Sequence, residues 1–272
     1  MTIESLYPYA GNHAVQNAIF VVEWSDPLRA EDLKGVSKLA NRFKTLGLSH
    51  VQHQLGVEIK LEHGVGAPTS GPVGTQTLNA ITFARPAAVG EISRSVTVSR
   101  QNCMIAIPDY SRWNQVFEDV TAYLKVVLDD IAPKKSLSVI GIQYNDVFNW
   151  KDHPSELNLR DVFRDDGFIP VNAFEQKGLW HVHHGFMDRR DLPVPYACLQ
   201  NVNVDMIDAA GERVIQIVGS HRATLGESLW QSHMKNKSVM LEVFAALHQA
   251  NKQMLQKLLT KQVCEKIRLT AE

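Results

Sequence analysis

Along residues 15 to 24, VQNAIFVVEW, β-branched and aromatic side chains crowd together before Ser25, Asp26 and Pro27, which predicts a strand followed by a turn and a helix start. Leu33, Val36, Leu39, Ala40, Phe43 and Leu46 then recur at helical spacing as far as Gly47, a residue suited to the position past a helix end because it tolerates positive φ. From Val51 to Leu61 the aliphatic residues Val51, Leu55, Val57, Ile59 and Leu61 alternate with polar ones, His53 excepted, so a strand with one wet face is expected. Residues 63 to 76 crowd Gly, Pro, Ser and Thr together and read as a surface loop. Residues 77–84 and 93–107 read as further strands, the latter a hairpin turning near Arg100, Gln101 and Asn102.

The clearest element is helical. Trp113, Val116, Phe117, Val120, Leu124, Val127, Leu128 and Ile131 form one apolar stripe, with Ser111 as N-cap and Pro133 as the stop. Residues 136–148 are apolar at both parities and read as a central strand covered on two sides. The pattern weakens from Trp150 to Gly178, a connector with a short helix around Leu159, Val162 and Phe163. Strands are expected at 179–186, 196–207 and 212–219, the last two joined by a hairpin turn at Asp208 to Gly211. Val243, Phe244, Leu247, Met254, Leu255 and Leu258 mark a closing helix, followed by a shorter one through Val263 and Ile267.

These elements define an α+β fold: a largely antiparallel sheet with long amphipathic helices, 29–46, 113–132 and 238–258, on one face. A hairpin followed by a long helix occurs at 93–132 and again at 196–258, so two related halves are conceivable. The domain reading is one unit, 1–272, with two subdomains, 1–150 and 179–272, and a connector at 151–178 as the finer division.

A chain of 272 residues, 44% hydrophobic and 21% charged, can bury a core without disulfides or a metal staple. With 28 Lys and Arg against 29 Asp and Glu, the formal net charge is -1, so no global basic field draws it to nucleic acid or an anionic membrane. Cys103, Cys198 and Cys264 each sit in an apolar pattern, which suits buried thiols in a reducing compartment. No secretory signal and no membrane-length apolar run is visible, so a cytoplasmic protein is expected.

Chemistry concentrates in GLWHVHHGFMD, residues 178 to 188, where three of the eleven histidines fall within four residues. On a strand, His181 and His183 share one face while His184 points the other way with Trp180, Val182 and Phe186. His184 is therefore expected in the core, with its pKa lowered by burial. A metal would need His181, His183 and a third ligand such as Asp188, His153 or His221, and no familiar metal signature is completed. No cofactor is expected, and a metal-dependent hydrolase using His181 and His183 stands as the enzymatic alternative.

Other constellations are weaker. Gly64-Val-Gly66 lacks the helix start a phosphate loop needs, and Gly226-Glu-Ser228-Leu-Trp230 lacks the last glycine of a nucleophile elbow. Asp188-Arg189-Arg190-Asp191 reads as a solvated loop able to grip an anion. Arg189, Arg190, Arg213 and Arg222 would form the basic face of a nucleic-acid-binding alternative. Trp113, Phe117 and Tyr123 have helical spacing and read as core. Tyr144, Asn145 and Asp146 end a buried strand, where polar groups can be presented to a cleft.

Four stretches, NAIFVVEW, IPDYSRWNQVF, IGIQYND and LEVFAALHQANKQML, together resemble a sporadically distributed family of bacterial proteins of about this length, a likeness that spans most of the chain. Tyr110, Trp113 and Phe117 resemble that family's Y-x-x-W-x-x-F element, and Tyr144 and Asn145 its G-L-R-Y-x-N strand, with Gln143 where arginine is usual. His248 matches a histidine of its closing helix, read as a helix-to-sheet contact. The resemblance implies an accessory or defence role. Since no catalytic constellation is completed, the expectation is a non-enzymatic binding or assembly protein, with a protein partner or self-association, and with Tyr144, Asn145, Arg189, Arg190 and Arg222 as candidate binding residues.

Overall fold

The computed structural model describes residues 3–59, 74–86, 88, 91, 94–131, 135–209, 211–226 and 237–269. After a single 3-10 turn come the strands β1 (Leu6–Pro8) and β2 (Val15–Trp24), then the helices α1 (Ala30–Val36) and α2 (Ala40–Thr45) joined by a 3-10 turn. Gly47 ends this pair at φ 83°, in the conformation its lack of a Cβ permits. The strands β3 (His50–Ile59), β4 (Gly74–Ala84), β5 (Ser95–Ser99) and β6 (Asn102–Ile107) follow, and then the helix α3 (Trp113–Ile131). Strand β7 (Leu137–Trp150) leads to the short helices α4 (Leu159–Val162) and α5 (Val171–Phe174). The strands β8 (Trp180–Arg190), β9 (Tyr196–Ala209) and β10 (Glu212–Leu225) then precede α6 (Lys237–Leu258) and α7 (Lys261–Lys266).

Among the described residues the ten strands make one antiparallel sheet, ordered β3-β4-β5-β6-β2-β7-β10-β9-β8, with β1 against the end of β7. The order of elements, strand, short helices, antiparallel strands, long helix, runs once from β2 to α3 and once from β7 to α6. β2 and β7, the first strands of these runs, pair at the centre.

Antiparallel partners directly opposite one another share a face. Ala18, Phe20 and Val22 of β2 pair with Tyr144, Ile142 and Ile140 of β7, and Ile215, Ile217 and Ala223 of β10 continue that row. Against it lie Val116, Val120, Leu124 and Val127 of α3 and Val243, Phe244 and Leu247 of α6, all buried. A second apolar cluster, with Phe148, Trp150, Val202, Val204, Ile215 and Leu258, fills the other end beneath α4, α5 and α7. Each such side chain removed from water contributes about 1.5–3 kcal/mol, which is what draws the amphipathic stripes onto the sheet.

Several expectations need correcting. The strand expected from residue 77 starts at Gly74, while residues 60–73, with Gly64 and Gly66, lie outside the described residues. Residues 227–230 of the Gly226 to Trp230 motif lie outside them too. Asp188, Arg189 and Arg190 belong to β8 instead of a loop, because their backbone pairs with Cys198, Ala197 and Tyr196. Tyr144, Asn145 and Asp146 lie mid-strand, since β7 runs on to Trp150 under the cover of β1 and β10. Ser111 sits one residue too early to cap α3 and bonds the Gln115 side chain, Oγ to Oε1 3.0 Å. The three cysteines are buried free thiols, and no helix among the described residues is long and apolar enough to cross a membrane.

Candidate functional site

Alternation along β7 sends Tyr144 and Asp146 to the helix-covered face and Asn145 to the opposite one. On that opposite face the Asn145 amide donates to Gln16 Oε1 (2.9 Å) and accepts from Gln216 Nε2 (2.8 Å), so it ties β2, β7 and β10 together. On the helix-covered face a cleft of about 450 Å³ opens between β7, the approach to α3, the middle of α6 and the turn after α7. Tyr144 and Asp146 line it, with His13, Tyr110, Arg112 and His248.

Each wall has a local cause. α3 begins at Trp113, whose indole is sandwiched between Phe117 (ring centroids 4.4 Å) and the His248 imidazole of α6 (3.9 Å, interplanar 1°). This stack fixes how far the start of α3 stands from α6. His248 Nδ1 lies 2.8 Å from the Tyr144 hydroxyl. Burial, reinforced by the nearby Lys252, pulls the His248 pKa down to about 4, so the imidazole is neutral and Nδ1 can accept the phenolic proton. The Tyr110 ring stands edge-on to Tyr144 at 5.9 Å and to His13 at 5.7 Å. Burial pushes both tyrosine pKa values up, so both hydroxyls stay protonated.

Asp146 is the unusual member. It is 3% exposed, and its Oδ2 has no hydrogen-bond partner among the described residues. Burial lifts its pKa from the ordinary 3.8 to about 7. A buried carboxyl with an idle oxygen is costly and uncommon. Cations stand at the rim, with Arg112 and Arg268 exposed there. Burial and Arg112 together depress the His13 pKa, leaving that ring neutral as well. The cleft therefore combines a carboxyl with a pKa near neutrality at its floor, two phenols and two neutral imidazoles on its walls, and guanidinium groups at its mouth.

The histidine run lies elsewhere. β8 is the outer strand of the sheet, and His181 and His183 project from the face opposite the helices. His181 Nδ1 bonds Asp205 of β9 directly across from it. Asp188 has the other parity and lies five residues beyond His183, about 17 Å along an extended strand. His221 is buried on the helix-covered face, bonded to Asn251, and His153 is engaged with Ser155 at a 3-10 turn. Among the described residues no group of three His, Cys, Asp or Glu side chains is placed to hold a metal. His184, expected in the core, is only partly buried, beside Phe168, because β8 lies past the reach of the long helices.

The basic candidates are dispersed and neutralised. Arg190 pairs with Asp188, Arg213 with Asp208 and Arg222 with Glu23, while Arg189 is exposed on the outer strand. Sequence reasoning placed Tyr144 and Asp146 where polar groups meet a cleft and named His248, yet left Asp146 out of the candidate binding residues and missed His13, Arg112 and Arg268. The available signal was the polar pair Asn145-Asp146 inside a run otherwise apolar at both parities.

No family model matches the chain, and no curated protein matches it. Among solved structures, the crystal structure of the di-domain ARO/CYC BexL from the BE-7585A biosynthetic pathway aligns over 94% of this chain and 99% of that one. It does so at 11% identity and a TM-score of 0.21, a likeness too slight to carry an argument.

Proposed function

We propose that the protein binds a small polar organic molecule in the cleft between β7, the start of α3 and α6. The observation that carries this reading is Asp146, a buried residue lining a cavity of about 450 Å³ and holding an idle, fully enclosed Oδ2. That volume is within the usual range for ligand sites, in which a few placed polar groups orient the occupant. A ligand donor bonded to the Asp146 carboxyl would lower the penalty of keeping that group buried and unpaired, so occupancy should stabilise the fold.

The test is a screen of the full chain against fractionated small-molecule extracts by thermal denaturation, with a second chain carrying Ala245→Trp to fill the cleft from its exposed wall. At saturating ligand, on the order of 100 times Kd, binding is worth about 2.7 kcal/mol and raises Tm by a few degrees. The expected result is a fraction that shifts the parent chain and leaves Ala245→Trp unmoved. Absence of any shift, or equal shifts in both chains, would reject the cleft as a binding site.

A protein partner or self-association is the reading left by the absence of a completed catalytic constellation in the sequence, and the accessory or defence setting rests on the family resemblance. We read the segments β2–α3 and β7–α6 as related halves on the strength of their matching element order about the central β2–β7 pair.

A further inference from the structure

We infer that the cleft selects a small zwitterion, an amino acid in the broad sense, with its ammonium group turned inward to Asp146 and its acidic group outward to Arg112 and Arg268. This deepens the reading of the cleft as a ligand site and depends on it.

The floor sets the first requirement. Asp146 lies on the central strand between Val15 of β2 and Ile217 of β10, with its Oδ2 unpartnered among the described residues. The groups that share the cleft with it are His13 from the segment before β2, Tyr110 and Arg112 from the approach to α3, and Tyr144 on its own strand. His248 and Lys252 line the same cleft from α6, and Arg268 from the turn after α7. A neutral apolar ligand would leave Oδ2 as costly as before, and an anion would meet a carboxyl that becomes its like charge on ionisation. An ammonium group compensates the carboxylate and carries three donors for the carboxyl group and the phenolic oxygens of Tyr110 and Tyr144. Aromatic walls favour the same charge. Neither imidazole supplies a competing cation there, since both are held neutral by burial.

The mouth sets the second. Arg112 and Arg268 are exposed at the rim, and a guanidinium grips a carboxylate or phosphate through two parallel hydrogen bonds. Cations outside and a carboxyl inside orient a dipolar molecule one way round.

The experiment is isothermal titration of the full chain with the common L-amino acids and with 4-aminobutyrate, 5-aminovalerate and 6-aminohexanoate. Butyrate and butylamine serve as half-ligands. The expected result is that at least one zwitterion binds and each half-ligand binds at least about tenfold more weakly, the scale of one lost charge-assisted contact. Heats measured in buffers of different ionisation enthalpy should show a proton released on binding below pH 7. Affinity should rise with pH up to about 7 and then level, because Asp146 must ionise to pair. Asp146→Asn should abolish the proton release, and Arg112→Gln, at an exposed position that leaves the core intact, should weaken binding about tenfold. Monocarboxylates binding as tightly as zwitterions, or affinity unchanged in Arg112→Gln, would overturn the inference. If zwitterions fail while an extract fraction still shifts the parent chain and leaves Ala245→Trp unmoved, the inference falls and the cleft reading survives; if nothing binds, both fall.

Discussion

At the scale of the residue, Asp146 ties stability to pH in a direction opposite to most carboxylates. Its folded pKa, about 7, lies above its unfolded value of 3.8, so the folded state holds the extra proton between those values. The stability this gives is complete below pH 3.8 and is lost as pH rises through 7, a change on the order of 4 kcal/mol for a group so buried. His221 and His248, both with pKa lowered to about 4 by burial, act the other way: they favour the fold above 6.5 and penalise it as pH falls toward 4. Asp146→Asn removes the carboxyl contribution alone. Urea titrations should therefore show the variant more stable than the parent at pH 8, and rising more steeply with pH between 4 and 6.5. A variant no more stable at pH 8 would mean that Asp146 is solvated or paired. The sequence showed the polar interruption at Asn145-Asp146 but not its meaning, because one residue's shift in face separates a satisfied amide from an idle carboxyl, and neighbours from β2, β10 and α6 decide which is which.

At the scale of the element, the α3 and α6 stripes and the β2 strand were legible because periodicity is a local property. How the helices dock was not. α6 lies close on β10, where a Cβ at Gly219, opposite Tyr144, would collide with the Asn251 side chain and meet Met254. Nothing local in GSH, residues 219–221, announces this approach. Gly219→Ala should push the ends of the Asn251 and Met254 side chains aside, at a cost of about 1–3 kcal/mol because both are buried. Thermal melts would check it, while a neutral Gly219→Ala would show that the helix rides higher than described. Asn251 also holds His221 by a 3.1 Å bond, so the same displacement loosens a buried polar contact.

At the scale of the whole molecule, one continuous sheet carries both runs of elements, with β2 and β7 at its middle. Protection should follow that order. In native-state hydrogen exchange, the amides of β2, β7 and β10 should open only with global unfolding, and those of β3 and β8 at the margins should exchange first. Equal protection across all strands would contradict this gradient. The antiparallel α+β character was readable from hairpin turns and alternation, but strand order was not, since β2 joins β6 and β7 across long stretches of chain. The outer position of β8 gives its histidine run another meaning. An unpaired margin invites a second molecule to add its own backbone, and ionisable side chains along such a margin discourage that growth. The exposed side chains of His181, His183, Asp188 and Arg189 put ionisable groups along that margin, the arrangement that disfavours such growth.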